Sequence, residues 1–326
     1  MKASWLLLTA TGLVLGTLPA DAQNAPYPNK PVQIIADSSA GSTPDVALRF
    51  ATERLSKLWG QQILVVNKPG AGGSVAARAA ADAAPDGYTL YQPVLSTFVS
   101  LHPAAPNVPL HLPKDFLPIG FVAENPMFFA VSPKLGINSL PELIAAAKKN
   151  PGGLSYATTG VGRLTHLTGE LLQHEAKIKL LLVPYTGGPA HATSDVSTGR
   201  VNMIIEGYSG IAGAARSGAV KLIAVASAKR LKDFPDVPTV SETIPGFQAT
   251  GWAVLVAPLG TPQAIITKVS EDLIKVAKET DLEEKLSKLG SYTNPMTVAE
   301  TMAFVHKQQA TWQPVLDEIA KSQPKK

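Results

Sequence analysis

The sequence predicts an α/β protein built from two lobes, and three observations support this fold class. Short apolar runs alternate with helical segments along the chain, which is the pattern of parallel α/β architecture. Several of these runs end in loops rich in glycine and hydroxyl side chains. With 326 residues, of which 45% are hydrophobic and 17% charged, the chain is long enough for two globular lobes with their own cores.

The first strand, loop and helix unit shows the pattern most clearly. Residues 31–36 form a short apolar run rich in β-branched side chains, and residues 44–59 have helical spacing. Thr43 stands where an N-cap belongs, Pro44 suits the first helical position, and Asp45 places a negative charge at the helix N-terminus. The predicted apolar face of this helix carries Leu48, Ala51, Leu55 and Leu58.

The later elements follow the same reasoning. Further strands are predicted at 63–66, 88–91, 116–122, 127–131, 154–157, 180–183, 202–205, 222–226 and 252–257. Helices are predicted at 74–84, 139–149, after the loop 158–165, and at 262–279, 282–289 and 298–319. The glycine loop 70–73 is interpreted as a structural turn. Residues 124–126 separate two strand-like runs, and we expect the chain to cross between the lobes there.

The N-terminus predicts export. Lys2 precedes an apolar segment at 5–18, and Ala20 and Ala22 are small residues at the positions that a signal peptidase reads. We therefore expect a signal peptide at 1–22 and a mature periplasmic protein. The chain contains no cysteine, so disulfides and thiolate metal sites are excluded. Its net charge of +4 comes without long basic runs, which argues against nucleic acid as a partner.

Polar loops at the carboxyl ends of strands predict where a ligand binds. In open α/β sheets, ligands lie in the crevice beyond those ends. Two such loops come from the predicted first lobe and three from the second: 37–45, 95–100, 158–165, 185–188 and 206–209. This distribution predicts a cleft between lobes, lined by hydroxyl and backbone N–H groups and suited to a carboxylate.

Nearly the whole mature chain resembles the extracytoplasmic solute receptors of tripartite tricarboxylate transporters, also called the Bug family. The resemblance rests on Tyr27-Pro-Asn-Lys-Pro31, Asn67-Lys-Pro-Gly-Ala-Gly-Gly73, Ala84-Pro-Asp-Gly-Tyr-Thr-Leu90, Val183-Pro-Tyr-Thr-Gly-Gly188, Ser227-Ala-Lys-Arg230 and Pro235-Asp-Val-Pro-Thr-Val240, in that order. It implies a type II periplasmic binding protein fold without catalysis. It also implies that the lobes close around a carboxylate held largely by backbone groups and ordered water.

We expect the first lobe to comprise residues 23–123 and 228–326, and the second lobe residues 124–227. The expected partners are a small organic acid and the membrane permease subunits of a tripartite transporter, and a monomer is the default. Dicarboxylates, hydroxy acids, aromatic carboxylates and amino acids all remain open as the solute. A periplasmic sensor subunit that presents its liganded form to a membrane signalling protein is the alternative, because both roles use the same cleft.

The candidate ligand-binding residues combine the polar loops with the positions that the resemblance implies. They are Ser38, Ser39, Gly41, Ser42, Thr43, Asp45, Ser96, Thr97, Thr158, Thr159, Gly160, Thr165, His166, Tyr185, Glu206 and Tyr208. The family's first loop usually contains Pro-Phe-Pro, whereas here Ser38 replaces the aromatic wall and Asp37 adds a carboxylate. This departure predicts a roomier, more polar pocket. Whether Asp37 and Glu206 face the pocket or solvent is left open, and Asp45 is interpreted chiefly as ordering its loop.

Enzyme motifs fail when they are checked residue by residue. His174-Glu175 is not followed by a second histidine at the spacing of a zinc helix. Gly207-Tyr-Ser-Gly210 begins like a nucleophile elbow, but Ile211 occupies the position that requires glycine. There is no Walker or dinucleotide motif. The sequence therefore predicts neither catalysis nor a metal or cofactor.

Overall fold

The computed structural model describes residues 26–99 and 110–322, so the predicted signal peptide lies outside it. The strands are β1 (Val32–Ala36), β2 (Ile63–Asn67), β3 (Thr89–Gln92), β4 (Leu117–Val131), β5 (Ser155–Thr158), β6 (Leu181–Pro184), β7 (Met203–Gly207), β8 (Lys221–Val225) and β9 (Thr250–Ala257). The helices are α1 (Thr43–Trp59), α2 (Ser74–Ala81), α3 (Leu95–Phe98), α4 (Leu140–Lys149), α5 (Leu164–Ala176), α6 (Pro189–Thr198), α7 (Tyr208–Arg216), α8 (Gln263–Ala277), α9 (Thr280–Ser287) and α10 (Val298–Ser322).

Two α/β sheets share one long strand. In the first sheet, β1 pairs in parallel with β2 and β3, and β9 runs antiparallel between β3 and β4. In the second sheet, β5 pairs in parallel with β6 and β7, while β7 and β8 both run antiparallel to β4. We call the parts of the chain built on these sheets the first and second lobes. The predicted α/β class is confirmed, but the antiparallel strands make each sheet mixed.

The strand β4 is continuous, contrary to the prediction of two strands separated at 124–126. Its first part pairs with β9 as far as Pro126, and its second part pairs with β7 from Met127 onward. Pro126 cannot donate a backbone hydrogen bond, which disfavours proline inside a sheet. It is tolerated here because it lies where the strand changes sheets. The chain therefore passes between the lobes within an unbroken strand.

Helices cover both faces of the first sheet, as the short apolar strands require. Side chains at alternate positions of β1 point to opposite faces, so Ile34 packs with Leu48 and Leu55 of α1, whereas Ile35 packs with α2. Burying each of these leucines contributes about 2 kcal/mol. Leu58, predicted on the same face of α1, is 40% exposed. The N-cap of α1 is Ser42 instead of the predicted Thr43, whose hydroxyl takes another role in the cleft.

The second lobe contains two helices that were not predicted, α6 and α7. Helix α6 follows the loop 185–188, whereas α7 begins directly after β7, so the loop predicted at 206–209 is the junction between that strand and helix. The buried residues of α6, such as Ala192, form only a weak apolar periodicity, whereas α7 buries Ile211 and Ala212 on one face in a stretch whose start was interpreted as a loop. The strand predicted at 222–226 is β8, which pairs with β4 in the second sheet. In the described part of the chain, none of the helices is both long and apolar enough to cross a bilayer.

Candidate functional site

A cavity of about 70 Å³ lies between the lobes where the chain crosses. The first lobe contributes the end of β1, the start of α1 and part of β9, and the second lobe contributes the β5–α5 loop and the end of β7. The residues that line it are Ser38, Ser39, Ser42, Pro44, Val94, Asn125, Met127, Thr159, Arg163, Leu164, Thr165, Glu206, Gly251 and Trp252. Three of the five predicted polar loops, 37–45, 158–165 and 206–209, therefore meet at one small cavity, whereas the described residues of 95–100 and 185–188 do not line it.

The first-lobe wall is a serine loop held in shape by Asp45. This buried carboxylate accepts hydrogen bonds from the Gly41 N–H at 2.9 Å and the Asn67 side-chain amide at 2.8 Å, and it pairs with Arg49 at 3.0 Å. The Ser42 hydroxyl donates to the Ser39 carbonyl at 2.6 Å. Asp45 does not line the cavity, so its contacts agree with the interpretation that it orders the loop.

The second-lobe wall is the loop between β5 and α5. Thr165, in the first turn of α5, accepts from the Thr159 N–H at 3.1 Å, and the two hydroxyls lie 3.2 Å apart. His166 accepts from the Gly162 N–H at 3.1 Å through Nδ1. Burial lowers the pKa of His166, partly opposed by Glu170, which favours the neutral ring that this bond requires. His166 therefore stabilises the conformation of the β5–α5 loop without lining the cavity.

Arg163 reaches from this loop across to Asp37 in the first lobe. Its Nη2 group donates to the Asp37 carbonyl, and Nη1 lies 3.6 Å from the Asp37 carboxylate. Asp37 is fully buried and accepts from the Tyr91 hydroxyl at 3.2 Å, the Val94 N–H at 3.4 Å and the Thr97 hydroxyl. Burial raises the pKa of Asp37, and Arg163 together with these donors acts in the opposite direction. Asp37 is thus a buried anchor for Arg163 and does not line the cavity.

Glu206, at the end of β7, is the acidic residue that lines the cavity. It is 3% exposed; one carboxylate oxygen accepts from the Gly207 N–H at 3.0 Å, and Oε2 is buried without a hydrogen-bond partner. Burial raises the pKa of Glu206 to about 7, despite the opposing effects of the Gly207 N–H and the Thr159 hydroxyl. The carboxyl group can therefore accept a hydrogen bond from a solute or, when protonated, donate one.

The lobes touch directly beside the cavity. The Ser209 hydroxyl on α7 donates to the Thr43 hydroxyl on α1 at 2.9 Å. A β-carbon at Gly207 would lie 2.6 Å from the Thr43 β-carbon, and one at Gly188 would lie 3.3 Å from the Ser39 β-carbon. Glycine at these two positions allows the second-lobe backbone to approach the first lobe, so the structure shows the cleft closed.

The structure distributes the sixteen predicted residues over three environments. Those that line the cavity are Ser38, Ser39, Ser42, Thr159, Thr165 and Glu206. Those in the surrounding loops and supporting contacts are Gly41, Thr43, Asp45, Ser96, Thr97, Thr158, Gly160 and His166. Tyr185 instead donates to Asp195 at 2.7 Å, and Tyr208 packs against the rings of Phe128 and Phe234.

Sequence reasoning missed eight residues that line the cavity. They are Pro44, Val94, Asn125, Met127, Arg163, Leu164, Gly251 and Trp252. Arg163 lies inside the predicted loop 158–165, and a cation beside a predicted carboxylate site was a signal that could have identified it. Asn125 and Trp252 line the cavity because β4 and β9 cross between the lobes, which no local motif indicates.

A cavity enclosed between two α/β lobes that share a long crossing strand defines a solute-binding protein of the periplasmic type. Comparisons with known proteins agree. Residues 47–321 match the model of the tripartite tricarboxylate transporter family receptors. Protein BugT of Bordetella pertussis is 31% identical, over 96% of this chain and 97% of its own.

Two solved structures add ligands to the comparison. An R. palustris protein solved with adipate is 25% identical, covering 90% of this chain and 98% of its own with a TM-score of 0.83. MatC of Rhodopseudomonas palustris, solved with bound malate, is 28% identical, covering 89% of this chain and all of its own with a TM-score of 0.79. The chain belongs to the tripartite tricarboxylate transporter receptor family, the Bug family, whose members are periplasmic solute-binding proteins and not enzymes.

Proposed function

We propose that this chain is an exported receptor that captures a small carboxylate in the cavity between its lobes and delivers it to the permease subunits of a tripartite transporter. The observation that carries the proposal is a set of buried polar atoms without hydrogen-bond partners on residues that line the cavity. They are the Ser38 hydroxyl, Arg163 Nη1 and Glu206 Oε2. Such atoms are costly to bury unless a ligand or water completes their bonding.

The chemistry of these atoms suits a carboxylate at one end of the cavity. The Ser38 hydroxyl and the Arg163 guanidinium are donors, and a charge-assisted bond to a carboxylate is about twice as strong as a neutral one. The two relatives solved with malate and adipate have the same overall fold as this chain, and both ligands are small carboxylates. The lobes already touch at Ser209 and Thr43, and a solute bonded to groups of both lobes would shift the population further toward this closed arrangement.

The experiment is calorimetric titration of the mature protein, starting at residue 23, after unfolding and dialysis to remove any retained solute. The panel comprises succinate, malate, adipate, phthalate, nicotinate and single amino acids. We expect at least one solute of the panel to bind saturably, with one molecule per protein chain. Small-angle X-ray scattering should show that the protein becomes more compact when this solute binds. Ser38→Phe should abolish binding because its ring would fill the cavity, whereas Ser217→Phe on the exposed end of α7 should not.

Two results would contradict the proposal. One is the absence of binding to every carboxylate in the panel. The other is binding that Ser38→Phe leaves unchanged, since the solute would then lie elsewhere. Mass spectrometry of small molecules released on unfolding tests the proposal independently, because the expected product is a carboxylate.

A further inference from the structure

Among the described residues, no cation pairs with the carboxyl group of Glu206. Arg163 and Glu206 are the two residues with ionisable side chains among the described residues that line the cavity. The Arg163 guanidinium is engaged by the carbonyl and carboxylate of Asp37, and none of the described ion pairs includes Glu206. Asp37, which lies outside the cavity, therefore neutralises the charge of Arg163. No described residue neutralises the charge of an ionised Glu206.

The elements packed against β7 offer no substitute cation. On the neighbouring strand and helices, the ionisable groups have other partners: Tyr156 bonds to Glu170, His166 to the Gly162 N–H, and Tyr185 and Arg200 to Asp195. His174 pairs with Glu175. Tyr185 and Arg200 lower the pKa of Asp195, and the exposed His191 adds to this effect. Glu124 lies on the part of β4 that belongs to the first sheet, and Arg216 lies at the far end of α7. An ionised Glu206 would thus need its counter-ion from the solute.

We propose that Glu206 is the specificity-determining residue of the cleft and selects a carboxylate that carries an ammonium group, an amino acid, over the same acid without it. This inference rests on the proposed function, because it names the protein group that binds the other end of the same solute. The ammonium group would donate to Oε2, the buried oxygen without a partner, while the solute carboxylate meets the donors near Ser38. A dicarboxylate would instead bring a second negative charge to Glu206.

The rest of the cavity agrees with a solute of low net charge. Its walls include Val94, Met127, Leu164 and Trp252, which are apolar apart from the indole N–H, and that N–H donates to Gln308 at 3.3 Å. With Asp37 and Arg163 neutralising each other, a zwitterion would leave the cavity with the charge of one carboxylate. A dianion would leave it with three negative charges. Repulsion at low dielectric disfavours the second arrangement.

The test compares matched pairs of probes that differ by one ammonium group: aspartate against succinate, and alanine against propionate. Calorimetry on the wild-type protein and on Glu206→Gln gives the ratio of dissociation constants within each pair. We expect the wild type to prefer the amino form in at least one pair by about 10- to 100-fold, the range of one charge-assisted hydrogen bond. Glu206→Gln should lose most of this preference, and Glu283→Gln, on the exposed face of α9, should keep it.

The pH dependence of the wild type tests the same idea without a variant. Amino-acid affinity should fall as the pH is lowered through the range where Glu206 gains a proton, and affinity for the deaminated acid should rise or stay level. Equal affinities within both pairs, no binding of either pair, or a preference that Glu206→Gln retains would overturn the inference. If Ser38→Phe still abolishes binding of a carboxylate in those cases, the proposed function stands while the role of Glu206 does not.

Discussion

Arg163 of the second lobe and Asp37 of the first form an ion pair across the cleft, with Nη1 3.6 Å from Oδ1 and the Asp37 side chain fully buried. A second Arg163 nitrogen donates to the Asp37 carbonyl, so one side chain contacts both the backbone and the carboxylate of its partner. The pair joins the β5–α5 loop to the end of β1. The pair therefore fixes the position of the β5–α5 loop and holds the two lobes together. It also neutralises the charge of Arg163 beside the cavity.

Replacing Arg163 should expose how much Asp37 depends on it. Arg163→Met leaves a buried carboxylate without a cation, and breaking a buried pair in this way costs about 3 kcal/mol. The pKa of Asp37 is raised by burial and opposed by Arg163. An acid with a raised pKa loses stability as the pH rises, so the deficit of Arg163→Met should be larger at about pH 8 than at about pH 5.5.

Urea unfolding at both pH values measures this deficit. Adding Asp37→Asn to Arg163→Met should recover most of the lost free energy, because it removes the uncompensated charge. The control is Arg200→Met, whose side chain is 74% exposed in its pair with Asp195 and should change stability by no more than about 0.5 kcal/mol. If Arg163→Met were as stable as the wild type at both pH values, the pair would not contribute to the ligand-free protein.

Glu206 predicts a second pH effect on the ligand-free protein, of measurable size. Burial raises its pKa from 4.5 to about 7, so the folded protein favours the protonated carboxyl group at pH values below about 7. This stabilisation is complete below the unfolded pKa and is lost as the pH rises through the folded one. Glu206→Gln should therefore exceed the wild type in unfolding free energy by about 3 kcal/mol at about pH 8, and by much less near pH 5.

Paired urea titrations of wild type and Glu206→Gln across this range test the prediction. The quantity of interest is the difference between the two proteins, because other carboxylates titrate equally in both. Glu283→Gln serves as the exposed control and should show a flat difference. A difference for Glu206→Gln that is also flat between the two pH values would mean that Glu206 has an ordinary pKa.

The sequence was informative where local chemistry decides structure. The loops at 37–45 and 158–165 were predicted to meet at a cleft, and residues of both line the cavity, because glycine and hydroxyl residues at strand ends follow from sheet geometry. It was uninformative where partners are distant in sequence. The sequence separation of Asp37 and Arg163 gives no indication that they form an ion pair. Trp252 lines the cavity only because β9 pairs with β4. The continuity of β4 through Pro126 likewise depends on tertiary pairing that overrides a local break.

Gly207 predicts a way to obstruct closure. Its φ of −65° is open to any residue, so an alanine there meets no backbone strain. Its β-carbon, however, would lie 2.6 Å from that of Thr43 on the opposite lobe. Gly207→Ala should therefore push the lobes apart and weaken solute binding by about tenfold or more, since about 1.4 kcal/mol of lost contact is tenfold in affinity.

The matched control for this change is Gly213→Ala on the following helix, where an added β-carbon meets nothing within 4 Å. It should leave affinity unchanged and stabilise α7 by about 0.5 to 1 kcal/mol. Calorimetry with the best solute of the panel, together with scattering on the saturated proteins, separates the two variants. Wild-type affinity and wild-type compaction in Gly207→Ala would show that the close approach of the lobes is unnecessary for binding.

Asp45 provides the last prediction, which separates a loop-ordering residue from a ligand contact. Asp45→Ala removes the acceptor of the Gly41 N–H and of the Asn67 amide, and it leaves Arg49 without its nearest carboxylate. Leaving such donors unsatisfied should lower the unfolding free energy by about 2 kcal/mol, even with no solute present. The exposed control Asp82→Ala should stay within about 0.5 kcal/mol of the wild type. Because the serine loop also forms a wall of the cavity, affinity should fall along with stability. If Asp45→Ala weakened binding while leaving the unfolding curve unchanged, Asp45 would be a direct contact of the solute and the ordering role would be wrong.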